Sequence, residues 1–249
     1  MGTPASFVVT ADNVYWHVSD TPMLIRRAYG IGDEGHGVAV ELVPPQKDRF
    51  DAPLREWLYR FNQAFIPAWY SQRRVEARCR RVLPEWAKAR LVLPGQTRDC
   101  YDGDRLIVCG GRVNNVHQGG VVDAVLNGGV VGRVHAEGVV TCVYRGGVVR
   151  YVEEDGVVRE VWDGGIVETV GDGIVQTVLK GGAVVEVLGW GVVLRNWGVV
   201  GNVHDCGTVA HVWTGGVVRT LTDRGLVRMH ARVGEDIVKS QRAALILME

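Results

Sequence analysis

The chain has 249 residues with 28 basic and 28 acidic side chains, so it carries no overall charge bias toward nucleic acid or an anionic membrane. Its 33 glycines far exceed ordinary usage, yet they recur at fixed spacing, which argues against a flexible Gly-rich linker. Five cysteines with no Cys-x-x-Cys pair argue for reduced, buried thiols, and no apolar run approaches the roughly 18 residues of a membrane-spanning helix. The N-terminus lacks the basic and apolar regions of a Sec signal. The expected location is therefore cytoplasmic or virion-associated, with export left to a non-Sec route.

Phe7–Val18 alternates apolar and polar residues and predicts one or two strands with a turn at Ala11-Asp12-Asn13. Gly37–Val43 predicts another strand, stopped by Pro44-Pro45. Asp51 reads as an N-cap, with Leu54, Trp57, Leu58, Phe61 and Phe65 at helical spacing behind it, and Pro67 ends that helix. A second helix is expected over Ala68–Val82, and Pro84 opens a short third one at Glu85–Arg90. Residues 1–100 thus form a small α+β head.

From Gly111 to Gly225, fourteen units open on glycine. Their spacing is nine residues, except eight between Gly165 and Gly173 and seven between Gly191 and Gly198. A short fixed period of this kind is the mark of a solenoid. Counted from the opening glycine, the third residue is always valine, as in Val113, Val149 and Val227. The sixth is valine except at Asn196, Leu221 and His230. These two rows are expected to face inward and the mixed fourth and fifth rows outward. The opening glycine is expected to supply positive φ at a sharp corner.

Two columns show that the true period is double. The residue before the opening glycine is glycine at 128, 146, 164, 181 and 215, and in the intervening units it is a larger residue, apart from Gly119. The seventh residue alternates in step. One set reads Leu126, Tyr144, Trp162, Leu179, Trp197, Trp213, Ala231; the other reads His117, His135, Glu153, Gly171, Leu188, His204, Thr222. The fold class is therefore mainly β. A β-solenoid of about seven 18-residue, two-sided coils is expected over residues 101–233, with residues 234–249 a C-terminal cap of helix or strand.

The Gly-Gly and Val phrases, such as Gly147-Val148-Val149-Arg150-Tyr151-Val152, resemble the AIDA-type repeats of autotransporter adhesins. That resemblance implies two half-turns per coil; a bacterial or phage surface or assembly role, or an effector-associated one, would each fit such a solenoid. The nonapeptide length is shared with RTX β-rolls, but the aspartates that bind calcium there are missing. In the head, Tyr15-Trp16-His17-Val18-Ser19 followed by Gly30-Ile31 is similar to the opening of ADP-ribosyltransferase toxins. That similarity implies an NAD-binding enzyme using His17, although the tyrosine and glutamate motif of that family has no counterpart downstream.

Three groups are candidate sites. Tyr144, Trp162, Trp197 and Trp213 fall in one column, an aromatic strip that needs a cover: the head's Trp57, Phe61, Phe65 and Trp69, another chain, or a flat ligand such as a sugar. Arg73, Arg74, Arg78, Arg80 and Arg81, with Lys88 and Arg90, form a basic helix that could meet phosphate; a solvated face is preferred, so no nucleic acid is expected. His117, His135 and Glu153 resemble a metal ligand set, but at ~4.8 Å per coil the outer two are too far apart to chelate one ion. No cofactor or metal is expected. The leading expectation is a non-enzymatic structural or binding protein whose aromatic strip meets a second copy or another protein. The alternative is a toxin-like enzyme with its catalytic head on a solenoid stalk.

Overall fold

The computed structural model describes residues 4–18, 21–32, 36–46, 48–61, 63, 65–230, 238–239 and 244–248. The expected cap at 234–249 and the last member of the aromatic column, Ala231, lie partly or wholly outside these. The chain divides into two compact units, Met1–Leu91 and Val92–Glu249.

In the first unit β1 (Ala5–Val9), β2 (Val14–Tyr15), β3 (Val38–Val43) and β4 (Leu58–Phe61) form an antiparallel sheet in the order β2-β1-β3-β4. Between β2 and β3 lies α1 (Pro22–Tyr29), which the sequence reading missed. Its signals are Thr21, whose side chain accepts a hydrogen bond from the Leu24 amide, proline in the first turn, and left-handed Gly30 at the C-cap.

The helix expected from Asp51 is corrected to a single 3₁₀ turn, Leu54–Glu56, followed by β4. The apolar residues at helical spacing are pulled apart by tertiary demand. Leu58 and Phe61 pair with Val43 and Val40, which satisfies the open edge of β3. Trp57 turns inward, fully buried, with its ring edge-on to Phe50 and Trp86. The two helices expected around Pro84 are one, α2 (Gln72–Arg90), which buries Val75, Cys79, Leu83, Trp86 and Arg90 on one face. A proline in mid-helix costs about 3 kcal/mol, and burying Leu83 and Trp86 on either side of it outweighs that.

In the second unit the chain passes back and forth between two parallel sheets. Among the described residues one sheet has ten strands: β5 (Leu91–Val92), β7 (Arg105–Cys109), β9 (Val121–Leu126), β11 (Val139–Val143), β13 (Val157–Val161), β15 (Ile174–Val178), β17 (Val192–Asn196), β19 (Thr208–Val212), β21 (Leu226–His230) and β23 (Ala244–Met248). The other has nine: β6 (Thr97–Cys100), β8 (Arg112–Val116), β10 (Val130–Val134), β12 (Val148–Val152), β14 (Ile166–Val170), β16 (Ala183–Val187), β18 (Val199–Val203), β20 (Val217–Leu221) and β22 (Val238–Lys239). This is a β-solenoid of about eight turns, because strands ahead of the glycine repeat and beyond it join the same sheets. Among the described residues no helix is long and apolar enough to cross a membrane.

The third and sixth rows fill the core: Val113, Val116, Val131, Val134, Val149 and Val152 are fully buried, as are their counterparts along the stack. Each contributes about 1.5 kcal/mol or more by leaving water. Residues three apart cannot share a face of a straight strand, whose period is two. The ladder shows the remedy. Val130 pairs with Val148, Val131 with Val149, Arg133 with Tyr151 and Val134 with Val152, skipping the fourth position. Most strands skip that position and turn their fourth and fifth side chains outward, with Asp123, Ala124 and Thr177 as buried exceptions.

The corners correct the role given to the opening glycine. Positive φ falls one residue earlier, on Gly119, Gly128, Gly146, Gly164, Gly181 and Gly215. The opening glycine is required by space: a Cβ on Gly138 would lie 2.5 Å from the Val116 carbonyl oxygen, and one on Gly147 would press on that of Val125. The corner of one coil rests directly on the backbone of the coil before it. Most corners close from the opening glycine amide to the carbonyl three residues back, as in Gly147 N to Tyr144 O at 2.8 Å and Gly138 N to His135 O at 2.9 Å.

Candidate functional site

One corner of the solenoid carries the aromatic column. Its register is set by the backbone, since Tyr144 N donates to Val125 O at 2.9 Å, Trp162 N to Val143 O at 2.8 Å and Trp197 N to Val178 O at 2.8 Å. The Gly-Gly residues of this corner add a ladder of their own: Gly128 N to Gly146 O, Gly146 N to Gly164 O and Gly164 N to Gly181 O, at 2.9 to 3.0 Å. Held at coil spacing, Tyr144 stacks on Trp162 with centroids 5.8 Å apart, and Trp197 on Trp213 at 5.4 Å with planes within 7°. Leu179 separates the two pairs, so the strip is two ring stacks divided by one leucine. Trp162 and Trp213 remain 39% and 37% exposed.

Within each pair a ring face is covered by its neighbour, so the corner presents ring edges to solvent rather than a platform of free faces on which sugars would stack. Trp162 Nε1 also donates to Glu160 Oε2 at 2.9 Å, which fixes the indole. In the head, Trp57 is spent in the core and Phe61 lies against Tyr70 at 4.8 Å, whereas Phe65 is exposed.

The opposite corner is polar. Tyr101, His117 and His135 stack in a column, 4.7 Å apart at 3° and 5.6 Å apart at 12°. Tyr101 precedes the glycine repeat and was missed for that reason. His135 Nε2 lies 3.1 Å from Asn115 Oδ1, and its Nδ1 lies 3.7 Å from Glu153 and 3.6 Å from Glu154. Glu153 in turn pairs with Arg133 at 3.1 Å. His117, His135 and Glu153 thus form a polar column in which the two imidazoles stack and His135 lies 3.7 Å from the Glu153 carboxylate. Among the described residues no three His, Cys, Asp or Glu side chains come together as a metal site.

The basic helix divides by role. Arg78 donates to Thr10 O and Ala11 O at 3.0 and 2.9 Å, and Arg80 to Trp57 O at 2.8 Å and to Glu76 at 2.7 Å. Arg90 is fully buried, donates to Val18 O and lies over the Trp86 ring. These three tie α2 to the turns of the head, while Arg73, Arg74, Arg81 and Lys88 face solvent. His17 follows β2 and is half-buried. Burial pushes the Cys79 and Cys100 thiols up to about 12, so both stay protonated near neutral pH.

The irregular unit at Trp190–Trp197 has a structural cause. Asn196 takes a core position, fully buried, where its Oδ1 accepts from Gly198 N at 2.9 Å and its Nδ2 donates to Val217 O at 3.0 Å. Its side chain substitutes for corner backbone that the two missing residues would have supplied. Comparison with protein-family models, with curated proteins and with solved structures finds no match to this chain.

Proposed function

We propose that the chain is a non-enzymatic structural or binding module, a stiff β-solenoid that engages a protein partner through its aromatic corner. The observation that carries this reading is the pair of ring stacks, Tyr144 on Trp162 and Trp197 on Trp213, part-exposed along one edge of a rigid stack. Ordered aromatic edges with little conformational entropy left to lose suit the centre of a protein interface. The resemblance of the repeats to autotransporter passenger repeats supports a bacterial or phage surface or assembly setting, and the first partner to test is a second copy of the chain.

The test is the solution mass of the wild type and of the Trp162→Ser, Trp213→Ser double variant, by sedimentation or light scattering. Wild type is expected above the 27.3 kDa monomer and the variant shifted toward it. A wild type that is monomeric at all concentrations, with a variant of unchanged mass and melting temperature, would remove the aromatic corner from self-association.

A further inference from the structure

On the sheet face of β8, β10 and β12 the outward side chains of three successive coils surround a hollow of about 270 Å³ lined by Arg112, Asn114, Gly132, Arg133, Arg150 and Tyr151. In the fourth row the register runs Asn114, Gly132, Arg150; the glycine in the middle puts no side chain between an amide and a guanidinium, and a Cβ there would run into the Asn114 carbonyl oxygen. These strands, Arg112–Val116, Val130–Val134 and Val148–Val152, hold three arginines and no carboxylate.

The donors are partly fixed and partly spare. Arg112 Nε donates to Asn114 Oδ1 at 2.9 Å, which orients its guanidinium and leaves the amide end of Asn114 as a donor. Arg133 is held over the Tyr151 ring, 5.4 Å from its centroid, and by Glu153 at 3.1 Å. Asn115 is committed on both sides, to Asp99 through Nδ2 at 3.2 Å and to His135 through Oδ1 at 3.1 Å. Arg150 is exposed and makes no hydrogen bond or ion pair with the described residues; Glu168 occupies the same row one coil on and is not paired with it. Carboxylates therefore flank the hollow at Asp99, Glu153 and Glu168, while its own lining is three arginines, two asparagines, Tyr151 and Gly132, with no carboxylate among them.

We propose that this hollow binds a tetrahedral oxyanion, the phosphate or sulfate group of a ligand, between Arg112, Arg150 and the Asn114 amide, with Arg133 as the preset third cation. Charge-assisted hydrogen bonds from guanidinium groups are the strongest available to such a group, and the central glycine adds no side chain of its own to the hollow.

The experiment titrates the full chain with inorganic phosphate and, separately, inorganic sulfate in low-salt buffer, followed by calorimetry or by amide shifts in β8, β10 and β12. Saturable binding is expected, weakened about tenfold by Arg150→Gln and by Arg112→Gln and unchanged by Arg219→Gln, an exposed arginine of the same row in β20. The tighter of the two anions names the ester. No saturable binding of either anion by the folded wild type overturns the site. So does an equal loss in Arg219→Gln, which would reduce the effect to general screening. Arg150 makes no hydrogen bond or ion pair with the described residues, so its variant tests binding with little folding penalty.

Discussion

At positions 146 and 147 two adjacent glycines serve different physical ends. Gly146 has φ of 75°, and a side chain there would meet mainly the backbone strain of the left-handed region, about 1–2 kcal/mol. Gly147 lies against the Val125 carbonyl, and a methyl group there must push two coils apart, costing about 2–3 kcal/mol or more. Denaturant melts should therefore rank Gly147→Ala below Gly146→Ala, and the reverse order would refute the close-packing account. The equivalent place in the polar corner holds Cys206 at φ 72°, a strain that glycine would relieve. Cys206→Gly is expected to raise stability by about 0.5–1 kcal/mol even after glycine's entropic cost, and Cys206→Ala to leave it unchanged. The spacing of these glycines was plain in the sequence. Which of two neighbours takes the positive φ was not, because repetition records that a small residue is needed and not whether torsion or space demands it.

At the level of the strand, β17 shows a local rule broken and compensated. Asn196 stands where every neighbouring coil puts an aliphatic residue, yet both ends of its amide are satisfied by Gly198 N and Val217 O. Asn196→Val regains some apolar burial but strands a buried amide and a carbonyl, at about 1–3 kcal/mol each, for a net loss of about 1–2 kcal/mol. An unchanged or higher denaturation midpoint, with unchanged slope, would show the asparagine to be incidental. Elements were readable where side chains answer to their nearest coil, as in the valine rows, the outward fourth and fifth rows and the two alternating corners. They were misread where a distant partner decides. Leu58 and Phe61 fit a helix by spacing and form β4 because β3 has an edge to fill; Leu83 and Trp86 carry α2 through Pro84 because both are needed in the core. The aromatic corner was legible as a column, but its division by Leu179 and the mutual covering of its rings needed the geometry. The arginine hollow was passed over because its residues come from three coils.

In the solenoid as a whole, each coil answers only to the coils on either side, so stability is a sum of coil and interface terms. That makes the molecule tolerant of whole-coil changes and intolerant of half-coil ones. Deleting Val139–Gly156, 18 residues, would place β13 on β9 and β14 on β10, with Trp162 on Leu126 in the aromatic column and every glycine of that corner still above a glycine. Deleting only Val148–Gly156, nine residues, keeps the valine rows but sends each later strand to the other sheet. Trp162 would then sit on His135, the Tyr144 stack and the Gly146-to-Gly164 hydrogen bond would be lost, and the shortened corner at Gly171–Gly173 would face full-length Tyr144–Gly147. The 18-residue deletion is expected to melt within a few degrees of wild type. The nine-residue deletion should melt lower still, by about 2–4 °C for each kcal/mol lost in a chain of this size, although it removes fewer contacts. A nine-residue deletion at least as stable as the 18-residue one would mean that the two corners are interchangeable and that the repeating unit is the nine-residue phrase after all. The expected order would establish the two-corner coil as the unit on which both the aromatic edge and the polar ladder depend.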